Sequence, residues 1–130
     1  MSTEHEKTSG LQEIGQIAIP VTDIDAAIIF YRDTLGMEFL FSAPPGLGFF
    51  DCGGVRLMLD APAAERAGHS SVIYFRVDDL DGMYDALSAK GVHFEGAPHL
   101  IAKMPDHELW MAFFRDPDAN LLAMMSEVRA

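Results

Sequence analysis

Apolar and polar residues alternate over residues 14–21, which is the spacing of a β-strand with one buried face. Helical spacing follows, and the predicted apolar positions of the helix are Ile24, Ile28, Tyr31 and Leu35. Thr22 or Asp23 is suited to cap this helix, and Gly36 to end it. Separated by Gly- and Pro-containing turns, short strands are then predicted around 37–42, 47–51 and 54–60.

The same pattern begins again in the second half of the chain. Residues 70–77 alternate as a strand, Asp78 or Asp79 is placed to cap a helix, and Gly91 to end it. The predicted buried stripe of this helix is Leu80, Met83, Tyr84 and Leu87, and further strands are predicted near 92–95, 107–115 and 120–126. The repetition predicts two βαβββ modules, over about 12–60 and 70–127, joined by a linker over 61–70. Both modules belong to one predicted domain over 12–130, which follows a flexible tail over 1–11.

Two motifs within this duplicated pattern are similar to a known family. The stretches "FYRDTLGMEF" (30–39) and "FRDPDAN" (114–120) resemble the vicinal-oxygen-chelate superfamily, which includes glyoxalase I, extradiol dioxygenases and bleomycin-resistance proteins. The resemblance covers about residues 12–127 and implies an α+β fold, with sheets curved into a bowl that holds the ligand, helices outside, and a homodimer. The family usually has Gly where Ala119 stands, so we expect that turn to differ.

Strand alternation then predicts which side chains face the bowl. If Ile17, Ile19 and Val21 pack on the helix, the alternate residues of the same strand face inward. On the first, fourth and fifth strands, this alternation predicts that Gln16, Arg56, Met58, Tyr74 and Arg76 face inward and bind the ligand. On the last strand, the resemblance implies that Ala123 faces inward with them. An inward Arg56 or Arg76 needs a partner, for which Asp60, Glu108 or an anionic ligand such as a carboxylate are the candidates.

The resemblance also identifies where a metal would be bound. Family members with metal chemistry draw His or Gln from the first strand, Glu from the fourth, His from the fifth and Glu from the eighth. The matching residues here are Gln16, Met58, Val72 and Ala123. Because protein metal sites need three or four N, O or S donors, we expect no metal and no cofactor at these positions.

The segment over 95–110 makes the second module longer than the first and concentrates polar residues. We expect a loop that acts as a lid or site, with His107 and Glu108 as candidate acid–base residues and Trp110 as a ligand contact. Because His107 and Glu108 are adjacent, at most one faces the bowl if they lie on a strand.

Charge and composition restrict the partners. The net charge is −11, from 20 acidic and 9 basic residues among 130, so we expect no nucleic-acid partner. No apolar run is long enough to span a bilayer, so no membrane partner is expected. The single cysteine, Cys52, permits no intrachain disulfide, which favours a cytoplasmic location.

Three functions follow from these residues. The first is a metal-free bowl that binds a small, largely apolar molecule, either to sequester it or to act as a metal-independent enzyme. The alternative is a metal-dependent lyase, isomerase or dioxygenase with a relocated site, in which Gln16 acts with His107, Glu108 or His99. The third is an interaction module whose bowl is filled by Met and Phe side chains.

Overall fold

Two four-stranded sheets, each with one α-helix, make up the described chain. The structure is a computed structural model that describes residues 10–129, so residues 1–9 of the predicted tail lie outside it. The strands are β1 (Gln16–Pro20), β2 (Glu38–Ala43), β3 (Leu47–Cys52), β4 (Val55–Asp60), β5 (Ile73–Arg76), β6 (His99–Lys103), β7 (His107–Arg115) and β8 (Leu121–Arg129). The helices are α1 (Ile24–Ile29), a π-helical turn over Phe30–Thr34, a 3₁₀ helix over Ala61–Arg66, and α2 (Leu80–Ala89).

The two sheets have the same topology. In the first sheet the strand order is β1-β4-β3-β2, with β1 parallel to β4 and the other pairs antiparallel. In the second sheet the order is β5-β8-β7-β6, again with the outer strand β5 parallel to β8. Neither sheet closes on itself. The predicted α+β fold of two βαβββ modules is therefore confirmed.

Aspartate caps begin both helices. The Asp23 carboxylate accepts the N–H of Ala26 at 3.2 Å, and the Asp79 carboxylate accepts the N–H of Gly82 at 3.0 Å. Of the two candidates at each start, the structure thus selects Asp23 and Asp79. The left-handed backbone that follows each helix is supplied by Gly36 and Gly91, with φ of 74° and 91°.

The first helix departs from regular α-geometry in its last turn. The N–H of Leu35 bonds to the carbonyl of Phe30, five residues back, at 2.9 Å, so this turn is wider than an α-helical one. Leu35 and Met37 then contribute to an apolar groove whose other walls are Phe75, Val77, Met83, Leu87, Phe114 and Met124 of the second module. The end of the first helix therefore contacts the second module.

The second module contains one clear correction to the sequence prediction. Residues 92–95 form no strand, only an isolated bridge between Phe94 and Phe114. The second strand of the module is β6, which lies within the segment predicted as a loop and pairs antiparallel with β7. The long strand β7 offers backbone groups that β6 satisfies, and this pairing converts the predicted lid into a hairpin.

The helix-facing residues of both modules form one core. Leu57 and Leu59 of the first sheet are buried as predicted, and Ile73, Phe75 and Val77 pack against the same cluster. The buried members of the cluster from the second module are Leu80, Leu87, Val92, Ala112, Phe114, Leu122 and Met124. The two modules therefore share one hydrophobic core.

A buried polar turn between β7 and β8 joins the modules. Asp116, 5% exposed, accepts four hydrogen bonds: from the Tyr31 hydroxyl at 2.8 Å, the Asn120 side-chain amide at 2.9 Å, and the backbone N–H groups of Asp118 and Asn120 at 2.9 Å. Burial, and then the Asp116 charge, raise the pKa of Tyr31 well above its usual range, so its hydroxyl remains a donor. The fully buried Asn120 also donates to the carbonyl of Pro20 at 2.8 Å and accepts the N–H of Gly68 at 2.8 Å. First module, linker and second module therefore meet at this turn.

Ala119 occupies the left-handed position of this turn, with φ of 66°. The expectation that Ala would change the turn is therefore wrong: Ala119 adopts the conformation that usually requires Gly. Its N–H bonds to the carbonyl of Asp116 at 3.0 Å, and the Asp116 N–H bonds to the carbonyl of Asn120 at 3.1 Å. The hydrogen bonds around Asp116 hold the strained residue in place.

We predict that Ala119→Gly stabilises the protein. Removing Cβ relieves the left-handed strain, and after the backbone entropy of Gly is subtracted the gain in unfolding free energy should be about 0.5–1 kcal/mol. Urea denaturation measures it. Ala86→Gly, at an exposed position within α2, is the control and should lower the unfolding free energy by about 0.5–1 kcal/mol. Loss of stability in Ala119→Gly would contradict this interpretation.

We also predict a graded loss of stability around Asp116. Asn120→Ala leaves Pro20 and Gly68 without their buried partners and should cost about 3 kcal/mol, whereas Tyr31→Phe removes one hydrogen bond to a charge and should cost about 1.5 kcal/mol. Thr22→Val is the control because Thr22 donates to Asp118 at an exposed position, and it should cost less than 1 kcal/mol. Equal losses in the three variants, measured by denaturation, would refute a central role for the buried turn.

Candidate functional site

Each sheet has one face that no helix covers, called here its open face. Cross-strand pairs place Gln16, Ala18, Phe41, Phe49, Arg56 and Met58 on the open face of the first sheet, with the acidic Asp51 next to Arg56 and Glu38 next to Asp51. They place Tyr74, Arg76, His99, Met111, Phe113, Ala123, Met125 and Glu127 on the open face of the second sheet, with His107, Leu109, Arg115, Leu121 and Arg129 toward its two ends. Six residues predicted to bind the ligand thus lie on open faces: Gln16, Arg56, Met58, Tyr74, Arg76 and Ala123.

The four family metal positions hold a poor donor set in this chain. On the first sheet the Gln16 amide donates to the Met58 sulfur at 3.7 Å, so these two side chains contact each other. On the second sheet Val72 precedes β5, and Ala123 is fully buried. Over residues 10–129, no three His, Cys, Asp or Glu side chains converge to hold an ion. One amide, one thioether and two hydrocarbon side chains do not fit a divalent cation.

The candidate acid–base residues point to opposite sides of β7. His107 shares the open side of the strand with Leu109 and Met111, and its Nδ1 lies 2.8 Å from the Asp106 carboxylate. Glu108 lies on the covered side, where it accepts the indole N–H of Trp110 at 3.1 Å. The two side chains therefore have different partners, Asp106 for His107 and Trp110 for Glu108.

Trp110 and His107 both lie away from the rings of the second open face. Trp110, predicted as a ligand contact, packs against the core on the covered side of the sheet. His107 begins β7 and is separated from Phe113 by roughly 20 Å of strand. With Glu108 it lines a depression of about 470 Å³ at the end of the β6–β7 hairpin, next to Lys103, Asp106 and Arg129. This depression is separate from the predicted ligand-binding residues.

The partners predicted for the arginines are engaged elsewhere. Asp60 caps the 3₁₀ helix by accepting the N–H of Ala63 at 3.2 Å, and Glu108 is bonded to Trp110. The exposed Arg56 instead places its guanidinium 5.7 Å from the ring centre of Phe49, a cation–π contact. Phe49 itself stacks on Phe41, with ring centres 4.7 Å apart.

Charged side chains run in series along the second open face. Arg76 lies 4.0 Å from Glu127, Glu127 lies 3.0 Å from Arg129, and Arg129 lies 2.7 Å from Asp106. Hydrogen bonds from Arg129 and then His107 lower the pKa of Asp106 to about 2. Arg76 is at the loose end of the series, with its side chain 73% exposed.

Tyr74 belongs to a group of rings that sequence reasoning did not identify. Tyr74 is 46% exposed and meets Phe113 edge to face, with ring centres 5.9 Å apart, and His99 lies 6.4 Å from Phe113 on the other side. Tyr74 and Arg76 also line a cleft of about 240 Å³ that reaches Cys52 and Val55 of the first sheet. Strand alternation could have placed Phe113 on a face, but not beside Tyr74, because that needs the register of β5, β8 and β7.

Comparison with known proteins identifies relatives along nearly the whole chain. Residues 13–124 match the family model described as Glyoxalase/Bleomycin resistance protein/Dioxygenase superfamily. "Uncharacterized protein YraH" of Bacillus subtilis is 32% identical, over 82% of this chain and 92% of that protein.

Solved structures have the same fold. TnmS3, an antibiotic binding protein from Streptomyces sp. CB03234, superposes with a TM-score of 0.74 at 24% identity, covering 92% of this chain and 99% of that one. Lactoylglutathione lyase from Agrobacterium tumefaciens superposes with a TM-score of 0.69 at 24% identity, covering 91% and 96%. Within the described part of the chain, no helix has the length and apolar character to cross a membrane.

We predict that Arg129→Gln returns the pKa of Asp106 from about 2 toward its ordinary value of 3.8. In the wild type, the stabilisation from this carboxylate is present above pH 3.8 and is lost as the pH falls toward 2. Carboxyl NMR titration of both proteins measures the shift. Arg66→Gln, at an exposed position on the 3₁₀ helix, is the control and should leave the Asp106 pKa unchanged. A wild-type midpoint near 3.8 would contradict the prediction.

Proposed function

Because the chain belongs to the glyoxalase/bleomycin resistance protein/dioxygenase superfamily, we propose that it binds a small, largely apolar molecule on its open faces without a metal ion. The observation that carries this proposal is the contact between Gln16 and Met58, where a thioether occupies the position of a family carboxylate. A neutral amide beside a soft, uncharged sulfur attracts a hard divalent cation weakly.

The composition of the open faces supports an apolar ligand. On the first sheet Phe41, Phe49 and Met58 neighbour one another across strands, and on the second sheet Met111, Phe113 and Met125 do so. Methionine side chains adapt to different ligand shapes, and aromatic rings provide flat apolar area. The structural likeness to an antibiotic binding protein accords with this mode of action.

Sequestration is favoured over catalysis by the placement of the titratable side chains. An acid and a base must both reach the same substrate as the ligand-binding residues, but His107 and Glu108 lie at the end of β7, roughly 20 Å along the strand from Phe113. Glu108 is also bonded to the Trp110 indole. We therefore propose that the protein holds its ligand rather than transforms it.

A homodimer is part of the same proposal. On the edge strand β6, Leu100 and Ile101 are 38% and 44% exposed, and a second copy would shield them from water while leaving Tyr74 and Phe41 accessible. We place this assembly in the cytoplasm, where the single Cys52 stays reduced; burial raises the pKa of its thiol, which disfavours the reactive thiolate.

A metal-dependent enzyme with a relocated site has less support. Its proposed ligands would be Gln16 together with His99, His107 or Glu108. Gln16 lies on β1, whereas the other three lie on β6 and β7, which carry none of the four family metal positions. Within the described residues these side chains form no group of three donors.

We predict that the protein, incubated with Zn²⁺, Ni²⁺, Mn²⁺ or Fe²⁺ and dialysed, retains well under one ion per chain by elemental analysis. The control is Met58→Glu, which places a carboxylate beside the Gln16 amide and should retain more metal than the wild type but less than one ion per chain, because two donors are fewer than a protein metal site needs. Stoichiometric retention by the wild type would refute the proposal. So would a screen of apolar ligands in which every thermal shift disappears on addition of EDTA.

A further inference from the structure

The open face of the second sheet carries a continuous aromatic surface. Tyr74 on β5 and Phe113 on β7 are both cross-strand neighbours of Ala123 on β8, and their rings meet above it. Ala123 is fully buried, so the rings and not Ala123 meet an incoming molecule. His99 on β6 extends the surface, its ring inclined 28° to that of Phe113. Because the Tyr74 and Phe113 rings stand 83° apart, a flat ligand would stack on one of them and meet the other at its edge.

Arg76 stands beside this aromatic surface and makes no hydrogen bond to another side chain in the described part of the protein. It follows Tyr74 by two residues on the same face, a separation of about 7 Å along the strand. Within residues 10–129 its nearest acidic partner is Glu127 at 4.0 Å, beyond hydrogen-bonding distance, and Glu127 is already bonded to Arg129 at 3.0 Å. The Arg76 guanidinium is therefore free to bind an anion through two parallel N–H groups.

The first sheet arranges its arginine differently. Arg56 lies over the face of Phe49 and occupies the ring surface that a flat ligand would need. On the second sheet the cation and the rings lie side by side, so a single planar molecule can contact both. A neutral ligand there would remove water from part of Arg76 without replacing the lost hydrogen bonds, which is unfavourable. A ligand with its own carboxylate avoids that cost.

We propose that this face binds a planar aromatic carboxylate, its rings on Tyr74 and Phe113 and its carboxylate on Arg76; the inference rests on the small-molecule binding proposed above. The net charge of −11 repels anions in general. Recognition must therefore come from the local donors of Arg76 together with apolar contact. Charge alone or apolar area alone would select a different class of ligand.

The experiment compares 2-naphthoate with its neutral isostere 2-naphthamide by isothermal titration calorimetry. The wild type should bind 2-naphthoate at least about tenfold more tightly, since hydrogen bonds between charged groups are the stronger ones. Arg76→Gln should weaken 2-naphthoate about tenfold or more and leave 2-naphthamide within about twofold. Phe113→Leu should weaken both probes about threefold to tenfold. Arg66→Gln, which removes the same charge at an exposed position on the 3₁₀ helix, should change neither.

Two results would overturn the inference. One is equal affinity for the two probes with no effect of Arg76→Gln. This result would refute recognition of a carboxylate by Arg76 but leave the proposed metal-free binding of apolar ligands intact. The other is binding of neither probe by a wild-type protein that is folded by circular dichroism. The metal-retention measurement is independent of both results, so failure of the proposed function and failure of this inference are separately visible.

Discussion

The arrangement of the two modules depends on the hydrogen bonds that the buried carboxylate of Asp116 accepts. A buried charge is unfavourable unless donors replace its water, and four hydrogen bonds do so here, two to each oxygen. One of these donors, Tyr31, comes from the first module, and Asn120 links the same turn to Pro20 and to the linker at Gly68. The left-handed backbone of Ala119 is tolerated because it returns Asn120 toward Asp116. The strained backbone of Ala119 therefore allows the hydrogen bonds that connect the two modules.

In this arrangement, one face of each sheet, the open face, is not covered by a helix. The covered faces share a continuous apolar core, while the open faces carry Phe and Met together with a few charged groups. The superfamily positions for metal ligands fall on or beside these open faces, but here they hold Gln16, Met58, Val72 and Ala123. Apolar contact and hydrogen bonding then remain as the means of recognition. This is why the proposed function concerns binding without an ion.

The charges of the second sheet illustrate how a series of ion pairs can leave one member available. Arg129 is held by both Glu127 and Asp106 at hydrogen-bonding distance, and the pKa of Asp106 falls accordingly. Arg76 is the member held least, because it lies 4.0 Å from one oxygen of Glu127 while Arg129 bonds to the other at 3.0 Å. Because Arg76 lies next to Tyr74 on the same face, a ligand that binds its guanidinium can also contact the aromatic surface.

The sequence by itself determined the features that depend on neighbouring residues along the chain. Period-two and helical spacing predicted both modules, Asp23 and Asp79 were among the predicted caps, and alternation placed Gln16 with Met58 and Tyr74 with Arg76 on open faces. Only the tertiary structure decided that β6 lies at His99–Lys103, that Phe113 meets Tyr74 above Ala123, and that Tyr31 bonds to Asp116. Strand register and contacts between modules join residues far apart in the chain, and local periodicity leaves them open because several pairings satisfy the same pattern. His107 and Glu108 show the limit clearly: alternation separated the two faces, and the fold decided what each side chain contacts.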